Sequence, residues 1–242
     1  MQTIPRPDGL RPPGQAPAAS AALHRVLSVR PLSPLAYLLR LERGTLEFQP
    51  GQYVRLAVPG LPAQREYSVY SAPGEPFLEL LIREMPGGLL SPRLRRCRPG
   101  EALEVEGPFG EFLLPECDPR GGQGGAFLFV ATGTGVAPFH CFARSHPGLD
   151  YLLLHGVARS GELYGAADFE PGRILPCLSR EQAGGGQGAA FEGRVTDFLR
   201  SHPPAAERLF YLCGGCDMIY EVFAILRRRG VPAERIFAEV YF

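Results

Sequence analysis

Ala126-Phe127-Leu128-Phe129-Val130-Ala131-Thr132-Gly133-Thr134-Gly135-Val136-Ala137-Pro138-Phe139 runs from a wholly apolar segment through two glycines into a helix-forming one. A buried strand, a tight turn and a helix start in that order make a phosphate cradle. Gly133 and Gly135 lack Cβ, so the backbone can turn sharply and approach an anion. The helix start adds unpaired N–H groups and a positive dipole end. The spacing departs from the full G-x-G-x-x-G fingerprint, because Pro138 stands where the third glycine would be. By itself the stretch also describes a plain strand-to-helix turn of an α/β domain.

Downstream the pattern repeats. Apolar runs at Phe127–Ala131, Tyr151–His155, Ile174–Cys177, Leu209–Cys213 and Ile236–Val240 alternate with helical segments. That alternation predicts a doubly wound parallel sheet. The clearest helix is expected over Asp217–Arg229, with Asp217 as N-cap and Gly230 and Pro232 as the stop. Upstream the pattern is different. Short β-like runs at His24–Val29, Ala36–Leu41, Tyr53–Val58, Tyr67–Tyr70, Phe77–Ile82, Ala102–Val105 and Glu111–Leu114 are separated by Pro and Gly turns. They predict a small antiparallel β barrel with one short helix around Leu89–Arg96.

The expected fold class is therefore two-domain: an N-terminal antiparallel β barrel, then a C-terminal α/β domain. The boundaries read as a disordered Pro-rich tail at 1–20, a barrel at 21–118, a linker at 119–125 and the α/β domain at 126–242. Ala183–Ala190 is a Gly/Ala/Gln-rich insertion and is expected to be a surface loop.

Composition narrows the function. The 242 residues carry a formal net charge of zero, which argues against nucleic-acid binding as a general activity. All 25 basic residues are arginine. No apolar run is long enough for a membrane-spanning helix, and the amino terminus has no secretory h-region. Six cysteines at irregular spacing do not read as a disulfide framework, so a cytoplasmic location is expected.

Two further blocks flank the glycine turn: Arg65-Glu66-Tyr67-Ser68 before it and Cys213-Gly214-Gly215-Cys216-Asp217-Met218 after it. In this order the three blocks resemble the ferredoxin–NADP reductase family of flavoproteins, over residues 21 to 242. The resemblance implies FAD on the barrel and a nicotinamide nucleotide on the parallel sheet. Arg65 would pair with the flavin diphosphate, a task suited to guanidinium. Tyr67 would pack against the flavin ring and Ser68 would reach toward its hydride-accepting edge. Gly87, Gly88 and Ser91 resemble the family's second diphosphate contact, although Ser91 also reads as an ordinary N-cap. Two diphosphate contacts favour FAD over FMN.

On the second domain the resemblance assigns Gly133, Thr134, Gly135, Val136, Ala137 and Pro138 to the nucleotide's diphosphate. Ser179 and Arg180 would take the adenosine end, with Arg194 as a second clamp for a 2′-phosphate. Glu181 sits beside them as the acid an NADH enzyme uses, so NADPH is favoured and NADH stays possible. Cys213 and Met218 match the family's nicotinamide-side spacing. Cys213 and Cys216 can also be read as a thiol redox pair or half of a metal site, but no partner pair accompanies them and no metal is expected.

The chain ends Ala238-Glu239-Val240-Tyr241-Phe242. That end resembles the family's closing aromatic, with either Tyr241 or Phe242 over the flavin and Glu239 assisting proton movement near Ser68 and Cys213. The catalytic residues expected from the resemblance are thus Ser68, Cys213, Glu239 and Tyr241. The implied activity is electron transfer between NAD(P)H and a one-electron carrier: an acidic ferredoxin, a flavodoxin or an oxygenase component. The run Arg93, Arg95, Arg96 and Arg98 would steer such a partner, or it is simply a solvated helix face. The alternatives are a reductase of free flavin, ferric chelate or haem protein, and a non-catalytic flavin-binding electron-transfer subunit.

Overall fold

The computed structural model describes residues 21–115, 127–181 and 190–241. The expected tail at 1–20, the linker at 119–125, nearly all of the insertion at 183–190 and Phe242 lie outside the described residues.

Six strands, β1 (Ala22–Ser33), β2 (Ala36–Glu42), β3 (Tyr53–Ala57), β4 (Gln64–Ser68), β5 (Phe77–Arg83) and β6 (Ala102–Phe109), form an antiparallel sheet in the order β4-β3-β6-β1-β2-β5. A bridge between Val69, just past β4, and Leu80 of β5 joins its two edges and closes the barrel. The short helix α1 (Ser91–Arg95) follows β5.

Strand β2 is buried on both faces, and packing explains why. Tyr37, Leu39 and Leu41 fill the barrel interior, while Ala36 and Leu38 face the second half of the molecule.

That second half is a six-stranded sheet paired in parallel throughout, with order β10-β9-β8-β7-β11-β12. Its elements are β7 (Phe127–Thr132), α2 (Ala137–Ser145), β8 (Tyr151–Val157), β9 (Ile174–Leu178), β10 (Phe191–Glu192), α3 (Val195–Ser201), β11 (Leu209–Gly215), α4 (Cys216–Arg228) and β12 (Ile236–Tyr241). Strand β7 is apolar throughout because Phe127, Phe129 and Ala131 face one core and Leu128 and Val130 the other. The chain winds outward from β7 to β10 and then returns to β11, so the strand order reverses between β7 and β11. Ligand crevices of open parallel sheets form outside the carboxyl ends of the strands at such a point.

The two halves share an aromatic core. Phe112 of the connecting segment lies edge-on to Tyr211 of β11 at 5.2 Å, and the Tyr211 hydroxyl donates to the Leu113 carbonyl at 2.8 Å. Tyr70 stacks on His140 of α2 with ring centroids 3.6 Å apart. The His140 ring also contacts the Tyr70 carbonyl and Asp168, at 2.9 and 3.0 Å.

Three sequence expectations need correction. Glu111–Leu114 is not a strand, because its backbone meets the Tyr211 hydroxyl and its Phe112 ring enters the shared core rather than a ladder. The strand expected at Tyr67–Tyr70 runs instead over Gln64–Ser68, paired along β3 from Ala57 to Tyr53. Asp217 does not cap α4; Gly215 holds the N-cap position and its N–H donates to Thr132 Oγ1 at 3.2 Å. Gly214 explains the earlier start. Its φ is +140°, and a Cβ there would lie 2.2 Å from Thr132 Oγ1.

Candidate active site

Ser68 ends β4 where the barrel meets the carboxyl ends of β11 and β12. Its hydroxyl donates to Glu239 Oε2 at 2.7 Å and accepts from the Tyr241 hydroxyl at 2.8 Å. The parallel register of β11 and β12 sets Cys213 beside Glu239, and the thiol lies 4.0 Å from the same Oε2. The four side chains come from three strands, β4, β11 and β12, that lie far apart in the sequence.

Burial dominates the electrostatics here. It raises the Glu239 carboxyl above its ordinary range; the Ser68 hydrogen bond opposes this and the Glu66 charge adds to it. Burial and the Glu239 charge push the Cys213 thiol well up, so the thiol is neutral near pH 7. That weighs against the thiolate chemistry a redox pair or zinc site requires. Burial likewise raises the Tyr241 phenol. Glu66 is exposed and pairs with Arg55 at 3.5 Å, and Arg55 in turn bonds Glu106 at 2.8 Å. Among the described residues no group of three His, Cys, Asp or Glu side chains is placed to hold a metal ion.

Arg65 and Tyr67 point to the opposite side of β4 from Ser68. Arg65 is exposed and has no acidic partner among the described residues; one guanidinium nitrogen donates to the Gln64 carbonyl at 2.7 Å. Tyr67 packs against the barrel core, and burial pushes its phenol up to about 12 while Arg65 works against this. Gly87 and Gly88 lie in an exposed turn, with Gly87 at φ +79° and open space where a Cβ would stand. Ser91 is not an N-cap. Leu90 holds that position, and Ser91 Oγ accepts the Met85 N–H at 2.9 Å.

After β7 the chain makes a single 3-10 turn, Gly133–Val136, before α2. Thr134, Gly135, Val136, Ala137 and Pro138 are buried, so the accessible part of the turn is at Thr132 and Gly133. The Ala137 N–H is already taken by the Thr134 carbonyl. Gly135 is required sterically: a Cβ would lie 2.3 Å from the Cys213 carbonyl oxygen. Strands β7 and β11 thus close on each other through glycine. Farther along the sheet, a solvent-open pocket of about 380 Å³ is lined by Leu178, Ser179, Arg180, Glu181, Glu192 and Gly193. The Glu181 carboxylate accepts the Ser160 N–H at 2.6 Å and the Ser160 hydroxyl at 2.9 Å. These bonds hold its pKa below the usual range.

Residues 26–113 match the family described as the oxidoreductase FAD-binding domain. Over 246 aligned positions the chain is 41% identical to ferredoxin–NADP reductase B of Sorangium cellulosum, covering 90% of this chain and 96% of that one. The chain belongs to the ferredoxin–NADP reductase family.

Within that family it is also 34% identical, over 211 residues, to the reductase subunit of an aromatic O-demethylase from Amycolatopsis. That match covers 81% of this chain and 61% of the relative. This chain therefore spans only about three fifths of that reductase subunit. The solved ferredoxin–NADP reductase of Neisseria gonorrhoeae, with bound FAD and NADP, superposes at TM-score 0.80 with 22% identity. It covers 93% of this chain and all of its own, a likeness of fold.

For a member of this family, the structure brings Ser68, Cys213, Glu239 and Tyr241 into one cluster. It places Ser179 and Arg180 at one pocket and leaves Arg194 exposed just beyond Gly193. It does not bring Met218 to the cluster, because Met218 packs on the other face of the sheet with the core of Leu212 and Val222. Sequence reasoning missed Glu66, whose charge reaches Glu239, and His155, which contacts the glycine turn. The available signals were a carboxylate two residues before Ser68 on one strand face, and a lone polar residue ending an apolar run. Among the described residues no helix is long and apolar enough to cross a membrane.

Proposed function

We propose that this chain is an FAD-dependent reductase moving electrons between NAD(P)H and a one-electron protein carrier in the cytoplasm. The observation that carries the reading is the cluster of Ser68, Glu239, Cys213 and Tyr241 at the seam between the two halves. The residues present suit FAD. An exposed guanidinium without a carboxylate partner, Arg65, and an exposed turn with open space at Gly87 are what a diphosphate requires. When bound, FAD supplies the conversion of a two-electron hydride donor into one-electron steps.

The chain's own part is binding, orientation and proton handling. Arg65 and the 87–91 turn hold the diphosphate, with Tyr67 behind the ring. Ser68 presents a hydroxyl already tied to Glu239, so a proton passes between Ser68 Oγ and Glu239 Oε2 over 2.7 Å. Burial raises the Glu239 carboxyl above its ordinary range, which brings it nearer to the working pH of a group that both gives and takes a proton. Cys213 stays a neutral thiol and shapes a dry wall for the nicotinamide. Tyr241 caps the same space with its hydroxyl on Ser68.

NADPH is the favoured nucleotide. Arg180 is exposed in the pocket with no acidic partner among the described residues, whereas Glu181 is engaged by Ser160 and is not free for a ribose hydroxyl. The named relatives favour a ferredoxin or an oxygenase component as acceptor. Anaerobic stopped-flow mixing with NADPH and with NADH, following the flavin absorbance, tests the proposal. Rapid bleaching by NADPH is expected. No bleaching by either nucleotide would leave only a flavin-binding electron-transfer subunit.

A further inference from the structure

His155 closes the apolar run of β8 and is fully buried, at 0% exposure. Register sets it between Ala131 of β7 and Pro176 of β9. Its Nε2 lies 2.9 Å from the carbonyl oxygen of Gly133. A carbonyl only accepts, so the ring proton sits on Nε2. Nδ1 is then a bare acceptor, and it has no partner. An apolar side chain would fill this interior position without a buried, unsatisfied lone pair. Packing therefore does not account for an imidazole here, but the donor on Nε2 does.

The consequence follows from peptide geometry. In a trans peptide the C=O and the next N–H point to opposite sides. Drawing the Gly133 oxygen inward turns the Thr134 N–H outward. Thr134 lies in the first turn of the helical segment, where N–H groups have no intrahelical partner. Gly133 has φ +53°, and a Cβ there would meet nothing within 4 Å, so the backbone beside that amide borders open space.

We propose that His155 is a positioning residue for the nucleotide diphosphate: its Nε2–H pins the Gly133 carbonyl and so aims the Thr134 amide at the phosphate oxygens. The inference rests on the nucleotide-binding reading above and deepens it. His155 touches no reacting atom and is not a catalytic residue. Burial brings its pKa down to about 4 against the opposing Gly133 hydrogen bond, so the ring is neutral near pH 7.

The test is equilibrium titration of the FAD-loaded full chain with NADP+ and with NAD+, which share the diphosphate. His155→Phe should weaken both by the same factor, about tenfold, the size of one misaimed charge-assisted hydrogen bond. His155→Gln sets an amide N–H where Nε2 stood and should restore most of the affinity. A weakening of NADP+ alone would overturn the inference, because that is the pattern of a 2′-phosphate contact such as Arg180. Unchanged affinity in His155→Phe would overturn it too. Equal losses in both variants with matching losses of thermal stability would reduce His155 to packing and overturn it as well. A wild-type protein that binds neither nucleotide would overturn the nucleotide reading itself and the inference with it.

Discussion

The hydroxyl of Ser68 and the carboxylate of Glu239 are 2.7 Å apart, across a sequence separation of 171 residues and across the seam between the two halves of the molecule. One comes from the last residue of a barrel strand and the other from the last strand of the parallel sheet. A proton route built this way exists only while the two halves are docked.

Removing the Ser68 hydroxyl breaks that route at its centre. Ser68→Ala should slow reduction of the bound flavin by NADPH about a hundredfold, within the usual range for a lost general acid–base partner. Flavin content should stay near wild type. Anaerobic stopped-flow rates at saturating nucleotide measure this, and an unchanged rate would exclude Ser68 from the chemistry.

Glu239 has a raised pKa, so the folded protein binds its proton more tightly than the unfolded chain does. Its stabilising contribution is full below the ordinary carboxylate value of 4.5 and is lost as pH rises through the raised value. Glu239→Gln should therefore raise Tm relative to wild type at pH 8, with the gap closing at pH 4. Glu66→Gln removes the negative charge that raises Glu239, so the carboxylate limb of the kcat/KM profile should move to lower pH. Melting curves and rate profiles across pH check both signs.

Arg65→Ala should weaken FAD binding by about 1.5–3 kcal/mol, the loss expected for a charge-assisted contact. The apoprotein titrated with FAD by flavin fluorescence provides the number. Wild-type affinity in the variant would remove Arg65 from the diphosphate site.

Arg180→Ala should raise KM for NADPH about tenfold or more and leave NADH within about twofold, because only NADPH carries the 2′-phosphate. Glu181→Gln should leave the preference as it is, since Ser160 already occupies that carboxylate. Steady-state kinetics with both nucleotides separate the two residues. Equal losses with NADPH and NADH in Arg180→Ala would make its role structural.

His140→Ala should destabilise the protein by about 2–4 kcal/mol, because it removes a buried ring and leaves its former partners unbonded. The lost contacts are the stack on Tyr70 and the bonds to the Tyr70 carbonyl and Asp168. Gly165→Ala should also destabilise, by about 1–3 kcal/mol. Its φ is +66°, and a Cβ would lie 2.2 Å from the Tyr70 hydroxyl. Thermal melts of both variants should show one cooperative transition, as the shared aromatic core requires. Two separated transitions would contradict that core.

The sequence by itself determined the fold class and the family. The apolar run of β7, the alternation of strands and helices after it and the punctuated short strands before it are local patterns. Each is written within one element by which faces must be buried, so each was legible in the chain. The Arg65–Ser68 and Cys213–Met218 blocks were legible as an ordered set, because each stands at a fixed spacing on either side of the glycine turn. Local reading erred where a distant group replaced a local one. Asp217 was a sound N-cap by type, but Thr132 from another strand set the start of α4. Glu111–Leu114 had strand composition, yet its backbone answered to Tyr211.

The tertiary structure alone decided which side chains meet. It joined Ser68 to Glu239, gave Glu181 to Ser160, sent Met218 to the far face of the sheet and set His155 beneath the Gly133 turn. The reason is physical. Periodicity records which face of an element is buried, and that depends on neighbours a few residues away. A hydrogen bond between residues 171 apart depends on how two sheets dock, and docking is decided by the summed fit of a shared core that no single stretch of sequence contains.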